Sequence, residues 1–403
     1  MVRLLLIAFL FIPAVASASW SARAIDYADR NFGYFPGPRN LTPEQRGAIA
    51  TVWGGGMRDV RLNEDLHPDE QSIKLPGLFR NEIRVHLRSQ EKRAPLIVIV
   101  PGVFANSDDP IARGATRWFS QMSYHVLTMP NCWSRDFAKA DPVYTDEYPS
   151  GEAKVVVEVT KWAIKEIGAN NITSVSLFGE SLGALTAAVV YARDSQQRKP
   201  LFTAGATLTW PPIALHDAIG LLDHLMTSTD SLYDSKCHHL IKRLITKWRI
   251  LRGKYILDPT DDEIECAPAI VAQYSFRHEL IKLAKQVNST RHLHRDVPKD
   301  LTFARFIHEY APRYAAALKA NDEYGSLRYW LNQTSSRAMQ NVRILTSEDD
   351  FLNDPHDWDT PGFLDSPKDQ IIIAHWGGHI GLTDTKAYEG LLKVQFGPSS
   401  RLQ

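Results

Sequence analysis

One pentapeptide constrains this chain more than any other segment: Gly179-Glu180-Ser181-Leu182-Gly183. It follows an apolar run, Val175 to Phe178, and precedes a helix-like run, Ala184 to Ala192, across which Leu182, Leu185, Val189 and Ala192 recur at helical spacing. A serine at a strand-to-helix junction sits in a tight turn that drives its backbone toward strain. A glycine on each side removes the Cβ atoms that would clash with the strand and the helix. These flanks predict a hydroxyl projected toward substrate rather than an ordinary loop serine.

The rest of the chain alternates in a way that suits such a turn. Asn81 to Ser89 alternates as a strand, and Pro95 to Val100 is a continuous apolar run, as expected for a strand buried on both faces of a largely parallel sheet. Tyr124 to Pro130 reads as the next strand, Gly151 to Ile167 as an amphipathic helix, and Asn171 to Phe178 as the strand before the serine. Further strands are expected over Phe202 to Thr209, Val342 to Thr346 and Gln370 to Ala374, with a closing helix over Lys386 to Phe396. The strand-helix-strand rhythm predicts an α/β fold with a mostly parallel sheet flanked by helices.

Four segments follow from this reading. Residues 1–18 carry the charged, apolar and small-residue parts of a secretory signal peptide, Met1-Val2-Arg3, Leu4 to Phe11 and Ala16-Ser17-Ala18, with cleavage expected after Ala18. Residues 19–78 show no strong periodicity and are expected to wrap the core. Residues 79–212 and 341–403 form the α/β core. Residues 213–340 hold helical patches, Ala218 to Met226, His238 to Leu251 and Ala269 to Gln286, and are expected to form a helical cap. The N-terminal apolar run is shorter than the ~20 residues of a spanning helix. A secreted or periplasmic protein with no transmembrane segment is therefore expected.

Composition excludes some partners. Lysine plus arginine number 46 and aspartate plus glutamate 46, so the chain lacks the basic excess with which nucleic-acid binders neutralise phosphates. Three cysteines, Cys132, Cys237 and Cys266, allow at most one intramolecular disulfide, and Cys237 with Cys266 is the candidate pair because both fall in the insertion. Asn40, Asn171, Asn288 and Asn332 head N-x-S/T sequons. Neither His238-His239 nor His292-Leu293-His294 has a cysteine or carboxylate at zinc-site spacing, so no metal or cofactor is expected. Asp261-Asp262-Glu263, after Pro259 and Thr260, reads as a helix N-terminus.

A serine hydroxyl is a weak nucleophile at neutral pH and needs a base within hydrogen-bond reach, held in one tautomer by a third group. His379, in Gly377-Gly378-His379-Ile380-Gly381 after the final strand, has flanks that let a loop lie close to the sheet edge; His375 is the competing histidine. Imidazole titrates near neutrality, so it can take the serine proton and return it to a leaving group. After the penultimate strand, Glu348-Asp349-Asp350 offers the acid, and we assign Asp350 with Asp349 as the alternative. Pro101-Gly102-Val103-Phe104, at the end of the doubly buried strand, can turn backbone N–H groups toward a developing oxyanion. Trp210, Trp376 and Phe104 are candidates for the pocket wall, although aromatic residues near strand ends are more often core.

The order Ser181, Asp350, His379 is the order of α/β-hydrolases and differs from those of chymotrypsin-like and subtilisin-like proteases. At Val98 to Gly102, Gly179 to Gly183, Asp349 to Leu352 and Gly377 to Gly381 the chain resembles that superfamily, and more narrowly the branch that includes YheT-like hydrolases. The resemblance implies the α/β-hydrolase fold, Ser181 as nucleophile, Asp350 as acid and His379 as base. It also implies an oxyanion hole from Leu182 and from Val103, with Phe104 the alternative to Val103. Pro101 departs from the histidine that many relatives carry before the glycine, which bears on how the loop is supported and not on a backbone donor.

The function expected from these residues is cleavage of a small-molecule carboxylic ester through an acyl-enzyme. The helical insertion points to a lipid-like or medium-chain acyl group. An acyltransferase or peptidase would use the same residues, and a binding protein of the same fold would need none of them.

Overall fold

Seven residues, Ala94–Val100 (β3), carry the fold because both of their faces are buried. Leu96, Val98 and Val100 enter the larger hydrophobic cluster, while Ile97 and Ile99 enter a second one on the opposite side. Successive strand side chains point to opposite faces, so an uninterrupted apolar run requires cover on both. The structure is a computed structural model that describes residues 41–42, 45–52, 70–143, 148–241, 243, 260–320, 322–353, 370–374 and 377–381, with scattered positions between 388 and 396.

Around β3 stand β1 (Glu70–Ile73), β2 (Ile83–Arg88), β4 (His125–Thr128), β5 (Ile172–Glu180), β6 (Ala206–Thr209), β7 (Val342–Ser347) and β8 (Ile371–Ala374). They form one eight-stranded sheet in the order β1-β2-β4-β3-β5-β6-β7-β8. β2 runs antiparallel to both neighbours, and the pairings from β4 through β8 are parallel. A mostly parallel sheet in this order, with its second strand reversed and helices on both faces, is the α/β-hydrolase fold. Residues 70–73, expected within the wrapping N-terminal segment, are instead an edge strand of this sheet.

Helices α1 (Pro110–Gln121), α2 (Arg135–Ala140), α3 (Ser150–Ile167) and α4 (Leu182–Ser195) follow the core strands. Val155, Val156 and Val159 of α3 and most of α4 cover the larger cluster. Ala115 and Phe119 of α1, with Tyr388 and Leu392, cover the other face. The expected closing helix over 386–396 is helical at its described positions.

Between β6 and β7 the described chain is mostly helical. α5 (Leu215–Ser228) comes first; α6 (Asp261–Ile270) continues through a π-helical stretch, Val271–Arg277, into α7 (His278–Thr290). α8 (Phe303–Tyr310) and α9 (Pro312–Ala320) follow. A capping box starts α6: the Thr260 side chain accepts from the Glu263 N–H, and the Glu263 side chain accepts from the Thr260 N–H. The Asp223 carboxylate accepts from the Phe303 and Ala304 N–H groups at the start of α8. A disulfide joins Cys237 to Cys266, which ties the π-helical stretch Tyr233–Cys237 after α5 to α6.

Residues 1–40, which include the expected signal peptide, lie outside the described residues. No helix among the described residues is long and apolar enough to cross a membrane.

The approach of α4 to β3 depends on Gly183, where a Cβ would collide with the backbone carbonyls of Val100 and Pro101. Gly183→Ala is expected to lower the unfolding free energy by about 1–3 kcal/mol, as read from urea denaturation.

Candidate active site

Ser181 follows the last residue of β5 and caps α4, with φ 55° and ψ −126°. A non-glycine residue rarely holds a positive φ unless its surroundings over-determine it. Here the Ser181 N–H donates to the Thr209 carbonyl of β6 at 2.8 Å, and the Ser181 carbonyl accepts from Ala184 at 2.9 Å. A Cβ at Gly179 would lie 2.5 Å from the Ala184 Cα, so the strand and helix can close on the serine only with glycine there. Gly102 brings a second strand end to the same point, since a Cβ on it would sit 3.1 Å from the Ser181 Cβ.

His379 stands in the loop after β8, and its Nε2 lies 2.7 Å from the Ser181 Oγ. Its Nδ1 lies 3.1 and 3.2 Å from the two Asp350 carboxylate oxygens. An ionised carboxylate only accepts, so the partner of Nδ1 assigns the ring proton to that nitrogen and leaves the Nε2 lone pair facing the serine hydroxyl. Ser181, Asp350 and His379 are 4%, 3% and 2% exposed, so this contact is held away from bulk water. Asp350 is oriented in turn by the Leu352 N–H at 3.0 Å and the Asn353 amide at 3.3 Å. Asn353 also donates to the Pro211 carbonyl and accepts from the Ile213 N–H, tying the acid's turn to the start of the helical insertion.

Asp349, the alternative acid, turns elsewhere. Its Oδ1 accepts from the Gly378 N–H at 2.8 Å, so it braces the histidine loop rather than the imidazole. Burial pushes its carboxyl up to about 6, against the opposing pull of the Gly378 and Gly377 amides and the Arg46 charge. His375 and Trp376 lie outside the described residues. Trp210 is core: it is fully buried, packs on Tyr388, and its indole N–H donates to the Ser347 Oγ at 3.3 Å.

On the loop after β3, the Phe104 N–H donates to the Trp133 carbonyl at 3.1 Å, so that amide is committed to structure. Val103 stands between it and Gly102, which touches the serine. Leu182 is the first residue of α4, where a helix leaves its amides without intrahelical acceptors. The support that this loop needs comes from Asn131, which nothing in the sequence marks. Its side-chain amide donates to the Pro101 carbonyl at 2.8 Å, and its side-chain oxygen accepts from the Trp133 N–H at 2.8 Å. Its own N–H donates to the Ala105 carbonyl at 2.9 Å. One buried asparagine thus clamps both flanks of the 101–105 turn.

Aromatic rings close the surroundings. Phe351 lies 5.8 Å from the His379 ring and 6.3 Å from Phe276. Phe104 lies 6.4 Å from Phe276 and stacks on Phe303 at 5.8 Å. Phe276 and Phe303 belong to the helical insertion, so that segment reaches the 101–105 turn through Phe104 and the turn after β7 through Phe351.

No protein-family model matches this chain, and no curated protein matches its sequence. Among solved structures it is similar to an esterase of Pyrobaculum calidifontis, with 13% identity, 89% of this chain and 94% of that one covered, and a TM-score of 0.45. It is also similar to carboxyl esterase 2 of Tuber melanosporum, with 13% identity, 83% and 88% coverage and a TM-score of 0.44. A third similarity is to a proline iminopeptidase-related protein of Thermus thermophilus, with 15% identity, 82% and 97% coverage and a TM-score of 0.43.

Two measurements test this geometry. Asn131→Ala leaves the buried Pro101 carbonyl and Trp133 N–H without their partner and should cost about 2–3 kcal/mol of stability in urea denaturation. Asp349 holds its proton in the folded chain up to about pH 6, whereas its unperturbed value is 3.8. Its stabilising contribution is therefore complete below the lower value and lost as pH rises through the higher one. Asp349→Asn removes that dependence, so the variant should gain on the wild type by up to about 3 kcal/mol between acidic and neutral pH.

Proposed function

We propose that this chain is a serine hydrolase that cleaves carboxylic esters through an acyl-enzyme, with Ser181 as nucleophile, His379 as base and Asp350 as the orienting acid. The observation that carries the reading is the continuous chain of contacts from the Ser181 Oγ to the His379 Nε2 at 2.7 Å and from the His379 Nδ1 to Asp350 at 3.1 Å. The Oγ attacks the ester carbonyl while its proton passes to Nε2. The Asp350 carboxylate stabilises the imidazolium that forms.

The tetrahedral intermediate places its negative oxygen toward the Val103 and Leu182 N–H groups. Preorganised donors of this kind are worth about 3–4 kcal/mol each when the site is shielded from water. As the intermediate collapses, the ester C–O bond breaks and Nε2 returns its proton to the departing alcohol. Water then repeats the sequence on the acyl-enzyme and frees the carboxylic acid and Ser181.

Phe104, Phe276, Phe303 and Phe351 around these loops favour an apolar acyl group, so the substrate class extends to medium-chain or lipid-like esters. On the four motif segments alone, the reading reaches to the branch that includes YheT-like hydrolases. Export by the 1–18 segment belongs to the same proposal.

Ser181→Ala should lower ester hydrolysis at least about a thousand-fold, and a fluorophosphonate probe should label Ser181 in the wild type. Retention of full activity by that variant would remove the serine mechanism. Across a chain-length series of nitrophenyl esters the rate should peak at medium length; a sharp optimum at acetyl overturns the apolar-acyl part. Product analysis with competing alcohols separates hydrolysis from acyl transfer.

A further inference from the structure

The helix over residues 45–52 comes from the N-terminal segment that no sequence motif connects with chemistry, yet it lies against the loops that carry the acid and the base. Its start is defined by a reciprocal pair: the Gln45 N–H donates to the Thr42 Oγ1 at 3.2 Å, and the Thr42 N–H donates to the Gln45 Oε1 at 3.1 Å. Ala48, Ile49, Ala50 and Val52 are buried, so the helix is anchored by apolar packing. A Cβ at Gly47 would collide with the Asp349 carbonyl. A Cβ at Gly378 would collide with the Gly47 carbonyl and come within 2.6 Å of the Thr51 Oγ1. Backbone therefore meets backbone across this contact.

Thr51 makes the directional bonds. Its hydroxyl donates to the Gly47 carbonyl at 2.8 Å and accepts from the His379 N–H at 2.9 Å. The other end of that same peptide unit, the Gly378 carbonyl, accepts from the Ser347 hydroxyl at 2.5 Å. The Gly378–His379 peptide plane is thus pinned at its oxygen from β7 and at its nitrogen from the N-terminal helix. Gly378 has a φ of 55° and no side chain to hold it, so the plane has little intrinsic preference to keep it there. Any rotation of the plane swings the Cα–Cβ direction of His379, and with it the imidazole.

We infer that Thr51 is a positioning residue for the His379 base: its hydroxyl fixes the peptide that aims the imidazole at Ser181, which makes the 45–52 helix part of the working site. This inference rests on the serine-hydrolase reading above and assigns Thr51 no contact with substrate. Because Thr51 gives its hydroxyl proton to the Gly47 carbonyl, its lone pairs are left to accept from the His379 N–H. Small errors in the placement of a reacting group can lower a rate by about a hundred-fold.

The test uses the full chain carrying Thr51→Val, Thr51→Ala or Thr51→Ser, with fluorophosphonate labelling of Ser181 and nitrophenyl-ester kinetics read in parallel. Val keeps the shape and loses the hydroxyl, Ala is the second hydroxyl-free variant should Val disturb folding, and Ser restores the hydroxyl. Thr51→Val and Thr51→Ala are expected to label to the wild-type stoichiometry but about 10–100-fold more slowly, with kcat falling in parallel and KM within about three-fold. Thr51→Ser should recover both rates to within about three-fold of the wild type. Labelling of the hydroxyl-free variants at the wild-type rate overturns the inference. So does a lower stoichiometry with an unchanged rate per labelled site, which is a folding defect, or a serine variant as slow as valine. Ser181→Ala separates the two claims: if it abolishes hydrolysis and Thr51→Val does not slow labelling, only the positioning role falls. If the wild type is not labelled, both fall.

Discussion

The site is organised by one strained residue. Ser181 holds a positive φ that costs an ordinary residue about 1–3 kcal/mol, and it keeps that conformation because β5, α4 and the loop after β3 close on it from three sides. At Gly179 and Gly183 the closures are backbone contacts, possible because no Cβ intervenes, and at Gly102 the missing Cβ leaves room for the Ser181 Cβ. The bond from the Ser181 N–H to Thr209 then locks the turn to β6. A hydroxyl held this way has little freedom left to lose when it meets a base.

The remaining groups arrive at the carboxyl ends of the same parallel strands, which is where open α/β sheets gather reactive loops. β3 delivers the 101–105 turn, β5 the serine, β7 Asp349 and Asp350, and β8 the histidine loop. Each loop is held by a polar group from another element. Asn131 after β4 clamps the first, Asn353 joins the acid's turn to residues 211–213, and Asp349, Ser347 and Thr51 pin the peptides before His379. With Ser181, Asp350 and His379 almost fully buried, these are hydrogen bonds in a low-dielectric setting, where a missing partner is expensive.

Legibility in the sequence follows the range of the interaction that defines each feature. β3 and β5 show as apolar runs because burial on both faces writes itself into consecutive residues. β1, Glu-Gln-Ser-Ile, is half exposed at the sheet edge and has no such run, so it reads as loop. Helix α1 contains Gly114 and begins at Pro110, and its short apolar stripe is easily missed between two stronger strands. Ser181 and His379 are marked by the glycines around them. Asp349 and Asp350 are adjacent and chemically identical, so only their opposite directions, toward Gly378 and toward the imidazole, separate them.

What the sequence alone determined is therefore local: the doubly buried strands, the glycine-flanked turn at Ser181, the order in which serine, acid and histidine occur, and the helical character of the insertion. Each is carried by neighbours in the chain, through side-chain periodicity or the absence of a Cβ. Only the tertiary structure decided which carboxylate faces the imidazole, that Asn131 supports the 101–105 turn, that Phe276 and Phe303 reach the reactive loops, and that Thr51 meets His379. Those contacts join residues tens to hundreds of positions apart, through single hydrogen bonds or ring contacts that leave no periodic trace. Thr51 and His379 are separated by 328 positions, and their 2.9 Å contact exists only once the fold has brought these two segments together.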